Sequence, residues 1–344
     1  MNITIIGAGP GGLITGLKLL EAGFEPKIIE KQEALESTLC GEGISAETLG
    51  MIPFRDWSEF APQTFGHATF FLPGGYRCYA KKKCFTMDRT PWLRAMSKEF
   101  VKRGGSLEMG RKVESVNGIG GLVVGADGPF SVAAKFVGNH VQRMAGVQYR
   151  MKSDYEWDGM EFYLDKTYSQ EYSWIFAKGG LFNVGLLGYQ KDLEQFIKDK
   201  NLGGEILKKE AYNIPFFGTR VQKENVVLTG DAAGITNPLT KGGMAAIVHA
   251  ADILTACIKE GKIGEYQYRL FAHPVMAPAY RDGLKYFREL TNEELEKMGK
   301  FLDRKVLNQL SRWEKLRIMF SSVVSPKKMR FLMKASSFAN KYSW

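Results

Sequence analysis

Only four cysteines occur in the 344 residues, Cys40, Cys78, Cys84 and Cys257, and they show neither CxxC nor Cys/His metal-ligand spacing. That pattern excludes a disulfide scaffold and a zinc module, and it predicts reduced thiols and no metal site. Histidine is equally scarce, with four residues. No apolar run approaches the roughly 18 residues of a spanning helix. The start, "MNITIIGAGP", has no basic segment followed by an apolar one, so a secretory leader is not expected. Repeats at solenoid spacing are absent as well. Acidic excess is missing too, because the net charge is +10. From Arg281 to Trp344 there are 15 Lys+Arg against 7 Asp+Glu, so most of the surplus lies in that tail. The rest of the chain is close to neutral, which argues against a nucleic-acid-binding protein.

What is present begins at the N-terminus. "NITIIGAGPGGLITGLKLLEAG" reads as a short apolar strand, a glycine turn and a helix, and "EPKIIEK" as a second strand ending in Glu30. Strand, turn, helix and strand form a βαβ unit and hence a parallel sheet. Gly7, Gly9 and Gly12 supply the Gly-x-Gly-x-x-Gly fingerprint, with Gly11 beside them. They remove side chains where the backbone turns or approaches a pyrophosphate, and the helix start offers unpaired N–H groups to it. Glu30 is placed to accept the hydroxyls of an adenosine ribose and to repel a 2′-phosphate. The expectation is dinucleotide binding.

Further along, "HATFFLPGGYRCYA" predicts a hairpin around Pro73-Gly74-Gly75, and "CFTMDR" a further strand. Thr90 is expected to cap a helix with Pro91 first in it. "RKVESV" and "GLVVGADG" predict short strands. Gln142 to Tyr189 alternates like an antiparallel meander, and beyond Gly242 the pattern is helical. No Ser/Gly/Pro linker separates these parts, so the expected domains interleave. They are a Rossmann-like dinucleotide domain from residues 1–65, 88–135 and 222–262, an antiparallel-sheet substrate domain from 66–87 and 136–221, and a helical basic region at 263–344.

Three separated stretches, "GAGPGG", "VVGADGPFS" and "VVLTGDAAGITNPLTKGG", resemble the FAD-binding fold of the aromatic-hydroxylase type. With "CGEGIS" and "YSWIFAKGGLFNVGLLG" the resemblance narrows to the geranylgeranyl reductase family, flavoenzymes that saturate double bonds of isoprenoid chains. It runs from about Asn2 to Tyr280. The resemblance implies FAD held by Gly11, Glu30, Cys40, Gly41, Gly43, Arg89, the backbone at Val113, Asp231, Gly243 and Met244, with Asp127 in the second stretch. It also implies a prenyl cavity lined by Tyr172, Trp174 and Phe176. Two residues depart from the family pattern: Ala177 stands where proline is usual, and Lys241 where glycine is usual. Lys241 would add a charge near the flavin or the substrate head group. The Arg111–Val124 segment is shorter than usual.

Cys40 has two readings. It is an acid or proton relay beside the flavin, or a small packed hydrophobe; Glu42 would tether its loop. The rival functions are a monooxygenase or halogenase acting on a small aromatic compound, and a prenyl-lipid escort without redox chemistry. With no second nucleotide fingerprint, the electron donor stays open among NAD(P)H, ferredoxin and a deazaflavin. The tail from Trp313 to Trp344 mixes basic residues with Trp313, Phe320, Phe331, Met333, Phe338 and Trp344. That mixture predicts a cytoplasmic protein bound peripherally to anionic membranes.

Overall fold

The computed structural model describes residues 1–36, 40–319 and 326–342. The chain runs β1 (Ile3–Ile6), α1 (Pro10–Glu21), β2 (Lys27–Ile29), β3 (Gly43–Ser45) and α2 (Ala46–Met51). Next come β4 (Gln63–Phe71), β5 (Arg77–Thr86), α3 (Arg89–Lys102), β6 (Ser106–Glu108), β7 (Leu122–Gly125) and α4 (Val132–Val137). The middle holds β8 (Gln142–Lys152), β9 (Met160–Tyr163), β10 (Ser173–Lys178), β11 (Leu181–Leu187), α5 (Gln190–Asp199) and β12 (Glu205–Phe216). Then follow β13 (Gln222–Lys223), β14 (Val226–Leu228), α6 (Gly230–Ala233) and α7 (Met244–Lys259). The last helices are α8 (Tyr266–Ala272), α9 (Ala279–Arg288), α10 (Asn292–Leu302), α11 (Arg312–Met319) and α12 (Pro326–Tyr342).

Two sheets organise these elements. The first has the order β13-β14-β7-β1-β2-β6, parallel except for β13. Its central strands are buried in one apolar cluster with α1 and α7, which pack on each other, and α4 packs on β7 and β14. Gly12 permits the tight first turn, since a Cβ there would lie 1.9 Å from the Gly7 carbonyl oxygen. The second sheet, β12-β8-β11-β10-β9-β4-β5-β3, is largely antiparallel. Leu193 and Phe196 of α5 are fully buried with Tyr149, Phe182 and Val184 on one of its faces. The opposite face carries Trp174, Phe176, Gln148 and Asn183. A third apolar cluster joins Leu72 and Cys78 to Leu290, Leu295, Ile318 and Met329 of the C-terminal region.

Several local expectations are corrected. "CFT" continues β5, because Cys84 and Phe85 pair with both β4 and β3. The strand β3 lies in the second sheet, against the expectation that residues 1–65 belong to the dinucleotide domain. Helix α3 starts at Arg89 after Asp88, whose carboxylate pairs with Lys178 at 3.0 Å instead of capping the helix. "RKVESV" forms no strand. The edge beside β2 is taken by β6, and Arg111 N bonds the Glu30 carbonyl at 2.9 Å as the chain leaves it. All four cysteines are free thiols, and no metal-ligating cluster exists among the described residues.

Candidate functional site

A cleft of about 260 Å³ opens at the C-terminal ends of β1, β2 and β7, where a doubly wound sheet presents its ligand site. Gly7, Gly9, Gly11, Glu30, Arg89, Val113, Asp127 and Asp231 line it. Gly12 lies beneath this wall and shapes the turn. Arg111, Lys112, Phe130 and Tyr212 line it as well. Phe130 falls inside the quoted "VVGADGPFS" stretch, whereas Arg111, Lys112 and Tyr212 belong to no fixed-spacing pattern.

The donor set suits a dinucleotide. Helix α1 starts at Gly9 without any side-chain cap, so its first-turn N–H groups face the cleft. Glu30 is buried, and its carboxylate is held by the Ala8 N–H at 2.6 Å and the Gln32 N–H at 2.9 Å. Arg89 has a buried Nε with no hydrogen-bond partner. Burial opposes the charge of its guanidinium, but Cys40, Glu42, Asp231 and Tyr212 push its pKa up, so the cation persists. Burial raises the Asp231 pKa from its ordinary value, against the Tyr212 hydroxyl at 2.6 Å, Arg89 and the Thr236 hydroxyl at 3.3 Å. Asp127 accepts from the Ser131 hydroxyl and from Val132 N–H at 2.7 Å, so it also builds the turn into α4. Burial raises its pKa too.

Gly243 caps α7 and Met244 begins it. Their helix turns Ile247 into the cleft, and Gly243 packs near Thr236, the residue that bonds Asp231.

The "CGEGIS" loop crosses the face of the second sheet; its flanking Thr38 and Leu39 lie outside the described residues. Glu42 takes φ +65°, a left-handed conformation that costs energy for a side-chain-bearing residue. The compensation is a buried network. Glu42 Oε2 accepts from Lys178 Nζ at 2.5 Å, Asn183 Nδ2 at 2.9 Å and Arg150 Nη2 at 3.0 Å. Two buried carboxamides hold consecutive carbonyls: Gln148 donates to Cys40 O at 3.1 Å and Asn183 to Gly41 O at 3.2 Å. The Glu42 N–H donates to Cys40 Sγ at 3.2 Å. Arg150 and Gln148 lie outside every quoted stretch, and strand pairing brings them to Lys178 and Asn183 of "YSWIFAKGGLFNVGLLG".

Tyr172, Trp174 and Phe176 share one face of the second sheet, by the two-residue period of an extended strand. Phe162 packs on Tyr172 and Phe176 at 5.6 and 5.1 Å between ring centroids, and Phe70 stacks on Phe162 at 5.3 Å. Trp174 pairs with Gly185 and Gly185 with Gln148, so the indole lies over the glycine and donates to Gln148 Oε1 at 3.1 Å. A Cβ at Gly185 would sit 2.3 Å from that indole. The wall is covered by the loop: a Cβ at Gly41 would meet Phe176 at 2.9 Å, and one at Gly43 would meet Met160 at 3.1 Å. Lys241 is not presented to the cleft. Its side chain is 3% exposed and its Nζ pairs with Glu171 at 2.6 Å.

Residues 1–56 match the FAD binding domain family. The chain is similar to a digeranylgeranylglycerophospholipid reductase of Methanopyrus kandleri, 25% identical with 95% of this chain and 96% of that protein covered. It superposes on a geranylgeranyl bacteriochlorophyll reductase-like protein from Thermoplasma acidophilum with a TM-score of 0.82 at 19% identity, covering 96% of this chain and 98% of that one. A p-nitrophenol 4-monooxygenase from Pseudomonas putida shares the fold at a TM-score of 0.65 and 16% identity, with 98% of each chain covered.

Proposed function

We propose that this FAD-dependent oxidoreductase, a relative of the digeranylgeranylglycerophospholipid reductases, saturates C=C bonds of geranylgeranyl-type isoprenoid chains. The carrying observation is the juxtaposition of the cleft with the Tyr172–Trp174–Phe176 wall, separated by one tethered loop bearing Cys40. Likeness to the monooxygenase extends to the fold alone, whereas likeness to the reductase runs along nearly the whole sequence.

Arg89, Glu30, Asp231 and the α1 start would hold the diphosphate, ribose and ribityl groups of FAD. When bound and reduced, FAD supplies hydride to one alkene carbon. The chain's part is to exclude water and to handle the proton. Trp174 and Phe176 present aromatic faces that stabilise positive charge developing on the alkene without a nucleophile nearby. Cys40 Sγ, hydrogen-bonded by Glu42 N–H, would carry the proton for the second carbon. Anaerobic incubation of reduced enzyme with prenyl lipids, followed by mass spectrometry, tests this reading. The expected product gains one H₂ per double bond; absence of that gain, with oxygen insertion into a phenol in a parallel aerobic incubation, overturns it.

The same reading places the chain at a membrane surface. On α11, Trp313 is 81% exposed beside Arg312, Lys315 and Arg317. Helix α12 faces inward instead, with Met329 and Ala335 buried. Phe320 and Trp344 lie outside the described residues. No described helix is long and apolar enough to cross a membrane, so contact would be peripheral.

A further inference from the structure

The turn from Asn237 to Gly242 carries a charge that a tight turn does not need. Lys241 stands in it at φ +53°, at the position where glycine is usual. The turn is closed on itself, with Asn237 N–H donating to Gly242 O at 3.0 Å and Lys241 N–H to Asn237 O at 2.9 Å. It is also fastened to the second sheet, because the Tyr172 hydroxyl donates to Thr240 O at 2.6 Å. Directly after it come Gly243 and α7, whose start has no side-chain cap and whose Ile247 lines the cleft. Gly243 lies near Thr236, a partner of the cleft residue Asp231. The turn therefore abuts the cleft, although the Lys241 side chain does not line it.

The charges around Lys241 are ordered from the turn outward. Its ammonium donates back to Pro238 O and lies 4.5 Å from the centre of the buried Phe216 ring. Next stands Glu171, 1% exposed, whose Oε2 is 2.6 Å from Lys241 Nζ. Beyond it, Arg288 reaches Glu171 Oε1 at 2.5 Å through Nη2 and at 3.0 Å through Nε, and its side chain is about one-third exposed. The inner cation is thus held against the turn, the carboxylate is shared, and the outer cation is the one that water and salt screen. Burial lowers the Lys241 pKa to about 8 while Glu171 opposes the fall, so the ammonium persists at pH 7. A buried ammonium and an uncapped helix start together put positive potential at this end of the cleft.

We propose that Lys241 sets the reduction potential of the bound flavin, raising it through the field of its buried ammonium. On reduction the flavin ring takes up two electrons and one proton and so gains one negative charge. A fixed cation nearby stabilises that charge without touching the ring. A higher potential lets a weaker donor load the flavin, and it lowers the driving force of the hydride that the flavin gives up. This role depends on FAD alone and holds whichever double bond is reduced.

Anaerobic dithionite titration of the FAD-loaded protein at pH 7, against a reference dye, gives the potentials of the wild type, Lys241→Arg, Lys241→Met and Lys241→Gly. In the two uncharged variants Glu171 keeps Arg288 as its partner, so no carboxylate is orphaned. Both are expected to weaken binding of reduced relative to oxidised flavin by about tenfold, a fall of about 30 mV for a two-electron couple. Lys241→Arg keeps the charge and should stay within about threefold of the wild type, or about 15 mV. A shift in Lys241→Gly alone would assign the effect to the φ of +53°, and a shift in Lys241→Met alone, or a like shift in all three, to packing. Each of these overturns the proposal, as does an unchanged potential in both uncharged variants. Loss of FAD from both would make Lys241 part of the cofactor's grip in either redox state, and this too overturns it.

Discussion

Tyr212 donates its hydroxyl to Asp231 Oδ2 at 2.6 Å, and the two residues come from different sheets. Tyr212 stands on β12, an edge of the antiparallel sheet, whereas Asp231 follows β14 of the parallel one. The acid of the third glycine-rich stretch is thus held by the neighbouring sheet. Tyr212→Phe removes one charge-assisted hydrogen bond, and FAD affinity is expected to fall by about tenfold. Burial already raises Asp231, and Tyr212 opposes that rise. The carboxylate is lost as pH falls through its pKa, so the variant should release flavin from a higher pH than the wild type. Flavin fluorescence during an acid titration measures both effects; superimposable curves would contradict the assignment.

The buried Lys178–Glu42 pair is predicted to set the loop. Both side chains are at most 5% exposed, and removing one partner of such a pair costs about 3–5 kcal/mol. Asp88 also faces Lys178 at 3.0 Å, so Glu42→Gln should fall near the lower end of that range. Urea unfolding of Glu42→Gln, Lys178→Met and the double variant should give strongly non-additive losses. Additive losses would mean that the pair is not coupled.

Cysteine reactivity gives a simple check on loop placement. Cys78, Cys84 and Cys257 are buried, and burial pushes Cys78 and Cys84 up to about 12, whereas Cys40 is partly exposed. One thiol per folded chain should react rapidly with Ellman's reagent at pH 8, and Cys40→Ser should remove that phase. Cys40→Ser should also keep FAD while slowing reoxidation of the reduced enzyme by prenyl substrate. Unchanged reoxidation rates in stopped flow would leave Cys40 as packing.

Lys241 predicts a pH dependence with a definite sign. Its folded pKa is lowered to about 8 from 10.5, chiefly by burial. The unfolded chain therefore binds more protons between those values, and stability contributed by this group rises with pH there and is lost as pH falls through 8. The slope is at most about 1.4 kcal/mol per pH unit. Lys241→Gly removes this slope and relieves a φ of +53°. The difference between the wild-type and variant stability curves from pH 8 to 9.5 is the measurement, and a pH-independent difference would refute the shift. Lys166, also lowered to about 8, contributes equally to both curves.

Trp313 is expected to anchor the chain to anionic vesicles. Trp313→Ser with Lys315→Ser should reduce sedimentation with such vesicles at low salt severalfold, each basic residue contributing about 1 kcal/mol. Undiminished sedimentation would remove α11 as the contact.

The βαβ start, the two later glycine-rich turns and the period-two aromatic triplet were legible in the sequence because each is a local rule. A turn that needs glycine, or a strand that alternates its faces, declares itself within a few residues. The failed expectation at "RKVESV" has the opposite cause: a short segment makes a strand only where a neighbouring edge is open, and β6 occupies that edge. Lys241 was legible as a charge in a glycine's place, but its destination was not.

Residue order alone determined which backbone could approach a diphosphate, which strands would be buried on both faces, and where the basic surplus would lie. Tertiary structure decided what those elements meet. Gln148 reaches Trp174 only because Gly185 lies between them in register, and Glu42 finds Lys178 across 136 residues of chain. Tyr212 likewise meets Asp231 only when two sheets pack together. Charges and amides buried at such distances in sequence obey no spacing rule. What selects them is the low dielectric of the interior, where an unpaired polar group is too costly to leave without a partner.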